Sequence, residues 1–162
     1  MLKPILLVED NPRDLDLSLR ALARTNLANE VVVARDGEEA WQYLAREGPH
    51  ASRPRGNPAV VLLDLKLPKL DGVEVLDRIR QHPDMEQLPV VMLTASREQT
   101  DVSRSYALGV NAYVVKPLGF AEFLEAIRDL GVFWAVLNEP PPGSLLLKSP
   151  RAVVGRETGG LA

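Results

Sequence analysis

The 162-residue chain has no cysteine, which excludes disulfides, thiolate metal centres and cysteine nucleophiles. Histidine is almost as scarce: His50 and His82 stand apart in polar, proline-flanked contexts, which argues against a zinc site. Long apolar runs are missing too. None approaches the roughly 20 residues that span a bilayer, and the N-terminal MLKPILLVED turns acidic too early for a signal peptide, so the protein is expected in the cytoplasm. Nor is positive charge concentrated anywhere. With a net charge of −3 there is no footprint for a phosphate backbone, and nucleic acid is not an expected partner.

What is present describes an ordinary globular chain, 46% hydrophobic and 25% charged. Its length suits one domain of about 100–150 residues plus a tail, read here as a domain over residues 1–138 and a tail over 139–162. The stretch from Ala59 to Gly72, AVVLLDLKLPKLDG, organises the rest. Its apolar run has no polar alternation and is rich in Val and Leu, as a strand covered on both faces of a parallel sheet would be. Asp64 therefore falls at the carboxyl end of a buried strand, where open parallel sheets gather their ligands. It is not needed as a helix cap, because Asp71 directly precedes the amphipathic segment Val73 to Arg80.

Similar units repeat along the chain. Lys3 to Val8 reads as a strand ending on Glu9 and Asp10. Asn11 and Pro12 then open a helix reaching about Thr25, with Leu15, Leu19 and Leu22 on one stripe. Glu30 to Ala34 is a strand, and Asp36-Gly37 turns into a helix over Glu38 to about Arg46. The segment Glu47 to Pro58, dense in Gly, Pro and Arg, is expected to be a tolerated surface loop without a site of its own. After the Asp64 strand come a helix over Val73 to Gln81 and a strand over Val90 to Leu93 ending at Thr94. A polar helix follows to Leu108, stopped by Gly109. The last strand, Ala112 to Val115, ends at Lys116-Pro117, and a final helix runs from about Phe120 to Leu137. Strands alternating with helices predict an α/β fold: a flavodoxin-like, doubly wound, five-stranded parallel sheet of order 2-1-3-4-5, with five helices and a C-terminal extension.

In such a sheet the polar strand ends share one edge. Three carboxylates, Glu9, Asp10 and Asp64, would repel one another there unless a cation joined them. An oxygen-only donor set suits a hard ion such as Mg²⁺. The ion and Lys116 would supply positive charge, and the Thr94 hydroxyl a donor, for an incoming phosphoryl group. Asp64 would then be the nucleophile, forming an aspartyl phosphate.

These motifs resemble the receiver domain of two-component response regulators, over roughly residues 3 to 130: ILLVEDN with the acidic pair, LLDLKLPKLDG with the phosphoacceptor Asp64, MLTAS with Thr94, and NAYVVKP with Lys116. The resemblance implies Tyr113 as an aromatic switch residue, the Lys66 carbonyl as a further metal ligand, and a cis Lys116–Pro117 bond. It also implies that Lys66 and Ser96 border the path of the hydrolytic water and so modulate phosphoryl lifetime. The long loop before the phosphoacceptor strand, SYALGVNAYVVKP and the ending FWAVLNEPPP are similar to single-domain regulators that partner phytochrome-type histidine kinases, which implies such a kinase as phosphodonor.

Two other readings compete with this one. Aspartyl-nucleophile phosphatases and dehalogenases use a second acid two residues past the nucleophile, where this chain has Lys66. A pseudo-receiver that only docks partners would have lost an acidic, Thr or Lys position, and all are present. The final helix carries more apolar surface than one face can bury: Phe120, Phe123, Leu124, Ile127, Leu130, Phe133, Trp134 and Leu137 form a stripe, and Ala126, Val132 and Val136 lie off it. A homodimer is expected through the fourth helix, fifth strand and fifth helix, braced by the tail with its short runs Leu145–Leu147 and Val153-Val154.

Overall fold

The computed structural model describes residues 3–25, 29–139, 141 and 142. The tail segments Leu145–Leu147 and Val153-Val154, expected to brace a dimer, lie outside the described residues. Five strands, β1 (Ile5–Val8), β2 (Val31–Ala34), β3 (Val60–Leu63), β4 (Val90–Thr94) and β5 (Ala112–Val115), form one parallel sheet in the order β2-β1-β3-β4-β5. The helices between and after them are α1 (Pro12–Ala23), α2 (Gly37–Ala45), α3 (Gly72–Gln81), α4 (Gln99–Ala107) and α5 (Phe120–Val132). The last continues as a π-helical turn over Phe133–Leu137. This is the expected architecture and strand order. Among the described residues, no helix is long and apolar enough to cross a membrane.

Alternation along each strand divides the core in two. Leu6, Val8, Val61, Leu63, Val90 and Met92 meet α2 and α3 residues such as Leu44, Leu76 and Ile79 on one face. Ile5, Leu7, Val60, Leu62, Val91 and Leu93 meet Leu15 and Leu22 of α1 and Phe123 and Ile127 of α5 on the other. The central strands are buried throughout, which is why they read as unbroken apolar runs. The stripe on the last helix splits. Phe123 and Ile127 are buried, Leu124, Leu130 and Trp134 pack partly against the core, and Phe120, Phe133 and Leu137 are exposed. The fourth helix, α4, buries only Ser105 among its own residues, so it is lightly anchored.

Helix starts follow their caps. Asn11 Oδ1 accepts from the N–H groups of Arg13 and Asp14, Asp36 Oδ1 from Glu39, and Asp71 Oδ1 from Glu74. The segment after α2 is more tightly tied than its composition suggests. Arg53 crosses back to the C-terminus of α2, donating to the carbonyls of Tyr43 at 2.5 Å and Leu44 at 3.0 Å, with its guanidinium 4.5 Å above the Tyr43 ring. It thereby satisfies carbonyls that a helix end leaves open and sets its charge against the negative end of the dipole. No cis peptide bond occurs among the described residues, so the Lys116–Pro117 bond is trans. Trans is the isomer a prolyl bond prefers by about 0.5–1 kcal/mol.

The turn after β3 depends on Gly72. Its N–H donates to the Leu65 carbonyl at 2.7 Å, and a Cβ at this position would come within 2.1 Å of the Asp64 carbonyl oxygen. In most helices Gly→Ala gains up to about 1 kcal/mol. Here the backbone would have to move, so Gly72→Ala should instead destabilise by roughly 1–3 kcal/mol. Urea unfolding checks this: an unchanged or higher midpoint would show that the turn can yield.

Candidate functional site

The sheet's register places the polar residues side by side. Val8 pairs with Leu63, Leu63 with Met92, and Thr94 with Val115. The ladder continues just past the strand ends: the Glu9 N–H donates to the Ala34 carbonyl, Asp64 to Val8, and Lys116 to Thr94. Backbone hydrogen bonding therefore fixes where Glu9, Asp64, Thr94 and Lys116 begin their side chains, all at the carboxyl edge. All four are buried, whereas Asp10 and Lys66 are exposed. Together with Asp14, Ser96, Arg97 and Glu98 they line one open cleft of about 650 Å³.

The Lys116 ammonium is the centre of the site. Its Nζ donates to Glu9 Oε2 at 2.6 Å, to Asp14 Oδ2 at 3.0 Å and to Asp64 Oδ2 at 3.1 Å. The free oxygens are also held: Glu9 Oε1 accepts from the Asn11 N–H at 3.0 Å, and Asp64 Oδ1 from the Leu65 N–H at 2.8 Å. Charge-assisted bonds of this kind orient the Asp64 carboxylate without covering the cleft. Asp14 was not anticipated as a member of the set. Its signal was its place four residues past Asp10, in the first turn of a helix that starts at this edge.

Electrostatics divide the two ends of the Lys116–Glu9 pair. Burial works against the lysine's charge, but the bond with Glu9 and the charges of Asp64 and Glu9 prevail, and the ammonium is held above the usual lysine range. Burial pushes Glu9 up to about 7; its bond with Lys116 opposes the rise and the Asp64 carboxylate adds to it. One ammonium does not neutralise four carboxylates, and the group with least access to water bears the consequence. Glu9, Asp10 and Asp64 each offer a carboxylate oxygen, all within 4.8 Å of one another. An excess of hard oxygen donors that close fits a divalent cation of the Mg²⁺ or Mn²⁺ type.

Tyr113 and Ser96 form a second network beside the cleft. The half-buried Tyr113 hydroxyl donates to the Ser96 carbonyl at 3.0 Å. Ser96 Oγ donates to Asp101 Oδ2 on α4 at 2.5 Å, and its N–H reaches Thr94 Oγ1 at 3.3 Å. Thr94, the β4–α4 loop, α4 and Tyr113 are thus joined through one serine. Burial raises the Tyr113 pKa, which keeps the phenol protonated and able to donate.

The chain is similar to known proteins of one family. Residues 5–128 match the response regulator receiver domain family. Response regulator Rcp1 of Synechocystis sp. (strain ATCC 27184 / PCC 6803 / Kazusa) is 40% identical over 132 residues, covering 82% of this chain and 88% of its own. The phosphorylated cyanobacterial phytochrome response regulator RcpA superposes with a TM-score of 0.82 at 40% identity, over 87% of this chain and 99% of its own. The Mn²⁺-bound form of Rcp1 gives 0.80 at 39% identity, over 86% and 99%. The bacteriophytochrome response regulator RtBRR is 64% identical with a TM-score of 0.71, over 89% of this chain and 87% of its own.

Glu9 has a measurable consequence. Its carboxyl ionises near 4.5 when the chain is unfolded and near 7 when folded, so the folded state binds the extra proton. Its contribution to stability is full below about pH 4.5 and is lost as pH rises through 7, a penalty on the order of 3 kcal/mol by pH 8. Without divalent ions, thermal unfolding should give a lower Tm at pH 8 than at pH 5.5, and Glu9→Gln should flatten that slope. Equal slopes in the two proteins would contradict the assignment.

Proposed function

The chain belongs to the response regulator receiver domain family, and from that premise we propose that it is a cytoplasmic phosphorylation switch whose acceptor is Asp64 and whose donor is a histidine kinase of the phytochrome type. The Lys116–Asp64 contact of 3.1 Å, inside a buried acidic site at the edge of a parallel sheet, carries the reading. The phosphohistidine presents its phosphoryl group at the cleft. A carboxylate oxygen of Asp64 forms the new P–O bond as the P–N bond breaks, and the electron pair of that bond returns to the imidazole. Lys116 transfers a hydrogen bond from the Asp64 carboxylate to a phosphoryl oxygen, following the charge as it moves. Thr94, one strand over, offers its hydroxyl to another.

Glu9, Asp10, Asp64 and the Lys66 carbonyl are the groups that would hold Mg²⁺, which supplies positive charge to the phosphoryl oxygens when bound. The Mn²⁺ in the structure of Rcp1 is a precedent in a relative. Lys66 is exposed on the cleft wall, where it can affect the approach of the hydrolytic water. Ser96 lines the same cleft, where it too borders the path of the hydrolytic water, and its hydroxyl bond to Asp101 adds an influence that runs through the β4–α4 loop. As Thr94 turns toward the phosphoryl group, the Ser96 contacts to Asp101 and Tyr113 are disturbed, and Tyr113 is released to re-shape the surface of α4 and β5. Chemistry stays confined to the protein's own phosphorylation and dephosphorylation.

The kinase type is supported by the relatives, two of which are described as phytochrome or bacteriophytochrome response regulators. Labelled phosphate should pass from a phytochrome-type kinase to this chain faster than from an unrelated kinase; equal or reversed rates would remove that partner. Asp64→Asn keeps the shape but lacks the nucleophile, so a small phosphodonor with Mg²⁺ should leave it unlabelled, and undiminished labelling would sink the acceptor. Asp10→Ala should weaken divalent-ion binding about tenfold or more, read by titration calorimetry. Normal affinity would move the ion elsewhere.

The output includes self-association. Tyr106 on α4 and Phe120 on α5 are more than half exposed, as is Leu137 in the π turn. A two-fold dimer through α4, β5 and α5 would cover such surface. Sedimentation at micromolar concentration should show a dimer; a monomer both with and without phosphate would refute it.

A further inference from the structure

Phosphoryl transfer leaves one partner of Lys116 without a task. An ammonium has three N–H donors, and Glu9, Asp14 and Asp64 take them at 2.6, 3.0 and 3.1 Å. Before the reaction all three are occupied, so a bond to a phosphoryl oxygen requires one to be given up. Asp64 releases its share when its oxygen joins phosphorus, and Glu9 belongs to the metal-binding set. Asp14 does neither.

Asp14 is also held in place. Its N–H donates to Asn11 Oδ1 at 3.1 Å, and its carbonyl accepts from the Ser18 hydroxyl at 2.7 Å, so the first turn of α1 fixes where its carboxylate stands. Its side chain keeps 28% of its exposure, so its charge is partly hydrated but close. Because both carboxylates touch the same ammonium, their bonded oxygens are at most about 6 Å apart, inside the range where like charges act on each other.

We propose that Asp14 is a positioning residue that draws the Lys116 ammonium away from the incoming phosphoryl group and so slows phosphorylation of Asp64. The inference rests on Asp64 being the acceptor. Two effects share a sign. The carboxylate competes for the lysine, and its charge opposes an anionic donor approaching the cleft. The step itself is unchanged: the Asp64 oxygen forms the P–O bond while the donor's bond to phosphorus breaks and the leaving group departs with its electrons.

Acetyl phosphate with saturating Mg²⁺ at low ionic strength tests the proposal. Asp14→Asn should react about tenfold faster than the wild-type protein, the size expected of one charge at this distance in a medium between protein surface and water. Asp14→Glu, which keeps the charge, should stay near the wild-type rate, and added salt should narrow the difference. A merely structural acid in the first turn of α1 would lower Tm on replacement and leave the rate alone. If Asp14→Asn and wild type react equally while Asp64→Asn stays unlabelled, the acceptor stands and the role of Asp14 is overturned. If the wild type takes no label, the acceptor assignment has failed, and the Lys116 Nζ signal in ¹⁵N-lysine-labelled protein still decides the contact. Asp14→Ala should shift that signal and speed its proton exchange; an unchanged signal overturns the proposal.

Discussion

A single ammonium group joins four elements of this fold. Lys116 follows β5, Glu9 follows β1, Asp64 follows β3, and Asp14 stands in the first turn of α1; their side chains meet within 2.6 to 3.1 Å of one nitrogen. Placing that many acids in a mostly buried site would be prohibitive without a cation among them. The lysine meets part of the demand, and the carboxyl of Glu9, held near 7, records the part it does not meet. The residual negative charge is what lets the cleft receive a divalent ion. A site built this way is poised, because any group that brings or removes charge redistributes the lysine's three bonds.

The rest of the molecule serves to hold those side chains and to leave one flank free. Parallel pairing in register brings the strand ends to a common edge, and two apolar layers keep the central strands from shifting. Gly72 allows the Asp64 turn to fold against the start of α3. The opposite condition holds at α4, whose polar sequence buries little and which is tied to the site through the Ser96–Asp101 and Ser96–Tyr113 contacts. A firmly held, buried carboxylate beside a lightly held helix is the arrangement in which a local change of charge can move a surface.

Much of this could be read from residues alone, for a definite reason. Strand ends announce themselves when an apolar run stops at a charged or hydroxylated residue, as at Glu9, Asp64, Thr94 and Lys116, and caps such as Asn11 and Asp71 act within three residues of where they stand. Contacts that depend on three-dimensional approach were not legible. Asp14 and Lys116 are 102 positions apart, and only the folded edge brings them together. Arg53 looked like part of an unstructured loop, since its partners are carbonyls, which a sequence does not distinguish. The bond from the Ser96 hydroxyl to Asp101 was equally illegible, since Asp101 is a helix position with no motif of its own. The resemblance implied a cis prolyl bond after Lys116, and the bond is trans; nothing in a Lys-Pro pair itself specifies the isomer.

The claim on which the account stands is that phosphate resides on the Asp64 carboxylate. An acyl phosphate, unlike a phosphate ester, is reduced by borohydride to an alcohol, which converts the modified aspartate to homoserine. The protein should be incubated with phosphodonor and Mg²⁺, reduced and sequenced by mass spectrometry. The account predicts homoserine at position 64, dependent on donor and on Lys116. Homoserine at another aspartate, the corresponding alcohol at a glutamate such as Glu9, or no reduced residue in protein that has taken up label would contradict it.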